Sequence, residues 1–176
     1  MDHASYADEY IAGILAACPA IAMVGASATP NRPSYFAMKY LLGKGYTVVP
    51  VNPGLAGQEI LKQKVVASLA GIEGHVDMVD IFRNSDAALE IVREAIALKD
   101  RLGIKAVWMQ LGVRNDTAAA EAEAAGLKVV MNRCPKIEYG RLSGEIGWSG
   151  VNAGTISAKR PLLSGRGVQS HTLAKR

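Results

Sequence analysis

The side chains best suited to nucleophilic or proton-transfer chemistry near neutral pH are few: His3, His75, His171, Cys18 and Cys134. Covalent catalysis requires a Ser or Cys beside an activating base, and the spacing provides no such pair. His3 and His171 lie in terminal segments, and His75 precedes a predicted strand at the end opposite the expected ligand crevice. Cys134 stands between Arg133 and Pro135, after the last predicted strand and on the crevice side. A cation beside it is expected to lower its pKa and favour thiolate, which makes it the one candidate catalytic residue. Cys18, before Pro19, is read as structural, and Glu138 and Glu145 as solvated surface acids. No cluster of Asp, Glu, His or Cys has metal-ligand spacing, so no bound metal is expected.

Binding chemistry is better represented. Gly25-Ala26-Ser27-Ala28-Thr29-Pro30-Asn31-Arg32-Pro33-Ser34 is a small-residue turn between a predicted strand and a predicted helix. Small side chains admit a ligand to the backbone, the hydroxyls of Ser27 and Ser34 can donate, and the N–H groups of a helix start attract phosphate. The turn matches neither GxGxxG nor a Walker loop. A plain strand-to-helix connection remains an equal reading of the turn taken alone. The second strand ends in Asn52-Pro53, where a dinucleotide site of the NAD type would carry an acid for the ribose hydroxyls. Arg32 supplies a cation suited to an extra phosphate. The third strand ends in Phe82-Arg83-Asn84, and the fourth in Trp108-Met109-Gln110-Leu111-Gly112, with Trp108 read as core.

These residues must be carried by regular elements. Apolar runs at 20–24, 47–51, 76–82, 105–109 and 128–131 predict five strands, near-continuous as buried parallel strands should be. Helical spacing predicts an opening helix over 5–17, a second from Pro33 to before Gly45, a third carrying Leu89, Val92 and Ile96, and a fourth over 115–125. Alternating strands and helices predict an α/β fold, a doubly wound parallel five-stranded sheet with helices on both faces. Asp77 and Asp80 interrupt the third strand and must face polar groups or lie at its end. The stretch 54–74 is the hardest to assign, with Val65 to Leu69 readable as a short strand or a turn.

Composition narrows the class. Hydrophobic residues make up 49% and charged residues 20% of 176, the balance of an ordinary globule. The longest apolar stretch, 16–26, is broken by Pro19 and Gly25 and is about half of the roughly 20 residues that a bilayer span needs. The acidic N-terminus lacks a secretory pattern, and two cysteines form no disulfide framework, so a cytoplasmic location is expected. Of the net charge of +4, residues 157–176 supply five cations and no acid. The remaining 15 bases and 16 acids leave no basic face for nucleic acid. The expected organisation is a domain over 1–141 and a Gly- and Ser-rich basic extension over 142–176, loosely attached. A symmetric homodimer is open, and no protein partner is indicated.

Taken in order, Val24-Gly25-Ala26-Ser27, Asn31-Arg32-Pro33-Ser34-Tyr35, Pro50-Val51-Asn52-Pro53, Val79 to Asn84, Trp108 to Gly112 and Asn132-Arg133-Cys134-Pro135 resemble the small bacterial CoA-binding proteins. Their single Rossmann-like domain is similar to the N-terminal CoA-binding domain of the succinyl-CoA synthetase α subunit. The resemblance spans about residues 6–140. It implies coenzyme A or an acyl-CoA as cofactor, with phosphates held by Gly25, Ala26, Ser27, Arg32 and Ser34. It implies further that Asn52 and Pro53 border the nucleotide, that Phe82 and Arg83 flank the adenine or the pantetheine path, and that Gln110, Leu111 and Gly112 close the site through their backbone. Near a CoA thiol or thioester, Cys134 could take part in mixed-disulfide or acyl-carrier chemistry. The synthetase's phosphohistidine segment and ATP-grasp partner have no counterpart in this chain, so ligase activity is not implied and a binding protein is expected rather than a stand-alone enzyme. Two alternatives are an NAD(P)-dependent oxidoreductase and a protein-interaction module with a vestigial nucleotide pocket.

Overall fold

The computed structural model describes residues 1–144. The expected extension therefore lies outside the described residues except for its first three positions, as do Glu145 and His171. Five parallel strands form the main sheet: β1 (Ala20–Val24), β2 (Thr47–Val51), β5 (Met78–Ile81), β6 (Ala106–Met109) and β7 (Lys128–Val130), in the order β2-β1-β5-β6-β7. A two-stranded antiparallel hairpin, β3 (Glu59–Ile60) and β4 (Gln63–Lys64), occupies the stretch that was hardest to assign. From there Val66 makes a parallel bridge to Val51, donating its N–H to Pro50 O and accepting from Asn52 N–H. Pro50 is tolerated because β2 is an edge strand.

Side chains alternate across the strands and so divide the interior in two. On one face Ile21, Met23, Met78, Trp108 and Val130 meet helices α1 (Asp8–Ala17), α2 (Pro33–Gly43) and α6 (Pro135–Leu142). On the other face Ala22, Val79, Ile81, Val107, Met109 and Val129 meet α3 (Ser85–Ala97) and α5 (Asp116–Ala124). Short α4 (Lys99–Leu102) follows α3 and ends at Gly103, whose positive φ of 82° lets the chain turn back into β6. This is the doubly wound α/β architecture. Asn84 and Asn115 start α3 and α5 by accepting the N–H of Ala87 and Ala118. Helix α6 was not among the predicted elements. It begins with Pro135 at its first turn and carries Arg141 in its last.

Both acids of the third main strand find polar partners. Asp77 lies at the N-terminal edge, where it accepts Ala20 N–H at 3.0 Å, Lys105 Nζ at 2.7 Å and the His75 ring at 2.7 Å. Desolvation pushes the Asp77 carboxyl upward, and the bonds from Lys105, His75 and Ala20 outweigh it, leaving the pKa below the ordinary carboxylate value. At the opposite edge of the sheet, β7 is lined by tyrosines of the N-terminal segment. The Tyr10 hydroxyl donates to Val129 O and accepts Val129 N–H, and the Tyr6 hydroxyl accepts Met131 N–H at 2.7 Å.

Candidate functional site

Strand order reverses between β1 and β5, and in open parallel sheets the crevice for ligands lies beyond the strand ends at that point. A cleft of about 1090 Å³ is found there. Its floor and walls come from the turn after β1, the start of α2, the end of β2, the turns after β5 and β6, and the start of α6. The structure brings together Gly25, Ala26, Ser27, Arg32, Ser34, Asn52, Phe82, Arg83, Gln110, Leu111 and Cys134 in this lining. It does not bring in Pro53 or Gly112. Pro53 opens a short 3-10 turn, and Gly112, at a φ of 78°, gives its N–H to the Asn132 side chain.

The turn after β1 is braced from three sides. Gly25 N–H is taken by Val51 O, Ser27 N–H by the Ser34 hydroxyl at 3.1 Å, and Ala26 O by Asn52 Nδ2 at 2.8 Å. The hydroxyl oxygens of Ser27 and Ser34 both accept backbone N–H groups, which leaves each O–H hydrogen for the cleft. The backbone N–H groups of Ala26 and Ser34 donate to no acceptor among the described residues. The last of these belongs to the first turn of α2, where such groups lack helical partners. Gly25 also has a packing requirement of its own. With its φ at 86°, a Cβ there would meet the Phe82 carbonyl oxygen at 2.5 Å and Arg83 Cδ at 3.0 Å. The space that glycine leaves free is taken up by the turn after β5.

Charge in the cleft has one sign. Arg32, Arg83 and Lys136 line it, and among the described residues no aspartate or glutamate does. Exposed apolar side chains complete the lining: Phe36 is 52% exposed and Leu111 45%. Phe36, Val113, Lys136 and Ile137 are lining residues that sequence reasoning missed, and Asn31, Pro33 and Asn84, noted there only as neighbours of assigned residues, line the cleft too. Lys136 and Ile137 belong to unpredicted α6, so recognising Pro135 as a helix-opening residue would have brought both to light.

Beneath the cleft lies an unusual polar pair. Asp80, 0% exposed, accepts Gln110 Nε2 on both oxygens, at 2.9 and 3.2 Å. Desolvation pushes its carboxyl up to about 8, against the hydrogen bond from Gln110. Trp108, paired with Asp80 across the strands, is core as read, with its indole N–H on Arg133 O.

Two expectations need correcting. The Cys134 thiol is not activated: burial pushes its pKa up, overcoming the N–H groups of Ile137 and Lys136 that favour thiolate. The Arg133 guanidinium is engaged elsewhere, with Asn132 O, Glu138 and the Tyr6 ring. Glu138 is not a solvated acid. It is 2% exposed and holds Arg141 at 2.8 Å and Arg133 at 3.8 Å.

The family model described as a CoA binding domain matches residues 19–140. The uncharacterized protein YneT of Bacillus subtilis is 33% identical over 119 residues, which make up 68% of this chain and 84% of that protein. A hypothetical protein from Pyrococcus horikoshii, known by its structure, is 40% identical with a TM-score of 0.72 over 78% of this chain and 93% of that one. A dinucleotide-forming acetyl-coenzyme A synthetase from Ca. Korarchaeum cryptofilum, solved with phosphate and ADP, superposes with a TM-score of 0.55 at 23% identity. It is matched over 65% of this chain and 26% of its own, and at that identity the likeness is one of fold.

Proposed function

The chain belongs to the CoA-binding domain family, and from that membership we propose that its cleft binds coenzyme A or an acyl-CoA. The observation that carries this reading is the charge of the cleft: among the described residues it is lined by three cations and no acid, together with the unpaired N–H groups of the β1–α2 turn. A ligand with several phosphates matches that field. In this reading the pyrophosphate lies against Ala26, Ser27 and Ser34, and Arg32 meets the further phosphate on the ribose. Asn52 supports the turn from below, its amide already committed to Ala26 O and Gly54 N–H. That commitment, and the lack of an acid there, separate the reading from an NAD-type site. Among the described residues no helix is long and apolar enough to cross a membrane.

The test is a melting panel of coenzyme A, acetyl-CoA, dephospho-CoA, NAD, NADP and FMN. At about one hundred dissociation constants the bound ligand stabilises the fold by about 2.7 kcal/mol, a visible rise in Tm. A rise with coenzyme A and acetyl-CoA and none with NAD is the expected pattern. A rise with NAD or NADP alone would replace the reading with the oxidoreductase one.

A further inference from the structure

A buried carboxyl with no cation beside it destabilises a fold unless it is neutral or fully hydrogen-bonded. Asp80 is such a group. Met23 on β1 and Trp108 on β6 are its cross-strand neighbours, and its polar partner is the Gln110 amide nitrogen, which straddles both carboxyl oxygens. That geometry suits a carboxylate, since both oxygens act as acceptors. With Nε2 turned down into the sheet, Gln110 Oε1 accepts no hydrogen bond among the described residues and is not sealed from solvent. Gln110 lines the cleft two strands away from the β1 turn, on the side opposite Asn52.

We propose that Asp80, in its ionised form, is a positioning residue: by taking the Gln110 Nε2–H on both oxygens it turns Oε1 to the cleft and makes this end of the site an acceptor for an amide N–H of a pantetheine arm. The inference rests on the coenzyme A reading above and names the part of the ligand that Gln110 recognises. Asparagine at position 80, or a protonated Asp80, presents a hydrogen donor beside its oxygen. It pairs with the Gln110 amide in both directions and draws Oε1 away from the cleft. Among the described residues, the charged and titratable groups that share the cleft lining with Gln110 are Arg32, Arg83, Cys134 and Lys136, with the Arg133–Glu138 pair beside them at α6. Glu138 is held between Arg133 and Arg141, and burial keeps the Cys134 thiol above its usual value.

The experiment measures affinity for acetyl-CoA, which has no free thiol, and for adenosine 3′,5′-bisphosphate, which has no pantetheine arm. It compares the wild-type protein, Asp80→Asn and Gln110→Ala. At about pH 9 both variants bind acetyl-CoA roughly 3- to 10-fold more weakly, the range for loss of one hydrogen bond, and bind the bisphosphate within about twofold of wild type. Asp80→Asn melts higher than wild type at that pH because a buried charge is gone, so affinity falls while stability rises. Lowering the pH to about 6 closes the gap between wild type and Asp80→Asn, read as the ratio of their affinities so that titration of the ligand's own phosphate cancels. Wild-type affinity for acetyl-CoA in Asp80→Asn at about pH 9, or equal weakening of both ligands, overturns the inference and leaves the cofactor reading standing. Binding of neither ligand by the wild-type protein overturns the cofactor reading and the inference together.

Discussion

In the proposed coenzyme A reading, Arg32 is the residue that tells coenzyme A from dephospho-CoA. It ends the β1–α2 turn in an extended conformation as the residue before Pro33, so its side chain stands at the cleft rather than along the helix. A charge-assisted contact to a phosphate contributes about 1.5–3 kcal/mol, and less where water screens it. Arg32→Ala should therefore weaken coenzyme A by roughly 10-fold and dephospho-CoA by less, as calorimetric titration would read. Equal weakening would take the ribose phosphate away from Arg32. Gly25 makes the complementary case, in which a residue of the site matters through packing. Gly25→Ala places a methyl group against Phe82 O in a left-handed backbone, and should cost about 2–4 kcal/mol in denaturant unfolding. An alanine variant as stable as wild type would show that the two turns can separate freely. Ala26, by contrast, is 1% exposed and packs into the core, which makes it a poor place to introduce a repelling charge.

At the scale of elements, the start of α2 offers that place. Asn31 is exposed, lines the cleft and precedes the helix. An acid near a helix N-terminus is favourable by about 0.3–1 kcal/mol, yet the same charge repels phosphate. Asn31→Asp should hold or slightly raise Tm while weakening coenzyme A several-fold; a variant that binds as tightly as wild type would move the phosphates away from α2. Elements also show what the sequence could convey. The five main strands were legible because each is a short apolar run closed by a turn, and the α/β alternation followed. The β3–β4 hairpin was not: its strands are two residues each, and its turn places Leu61 and Lys62 at positive φ, where Gly or Asn would have been the signal. Helix α6 was not read from the sequence: it is eight residues long, with Pro135 in its first turn and the buried Gly140 in its interior. The lining residues on the β1, β5 and β6 turns were found from strand ends, whereas those on α6 were lost with their helix. The Asp80–Gln110 pair joins residues 30 positions apart, and no local pattern reports such a contact.

Across the whole molecule, the two ends of the sheet carry opposite electrostatic designs. The C-terminal ends open on a cationic cleft, and the N-terminal ends are tied by Asp77 to β1, to Lys105 before β6 and to His75. Because the Asp77 pKa is lowered on folding, its stabilisation is complete above the ordinary carboxylate value of 3.8 and is lost as pH falls through the folded value. Asp77→Asn should thus lower stability by about 1–3 kcal/mol at neutral pH, with the gap to wild type closing in acid, as melting curves across pH would show. A gap independent of pH would assign the effect to packing. The lateral edges complete the picture. Val66 already occupies the free side of β2, and the hydroxyls of Tyr6 and Tyr10 occupy peptide groups of β7 that a further strand would otherwise pair with. Among the described residues, three phenolic bonds thus take the place of a neighbouring strand at that edge. The opening segment acts as a seal as well as a packing layer: without those two rings, β7 would become a template on which other copies could stack into fibrils.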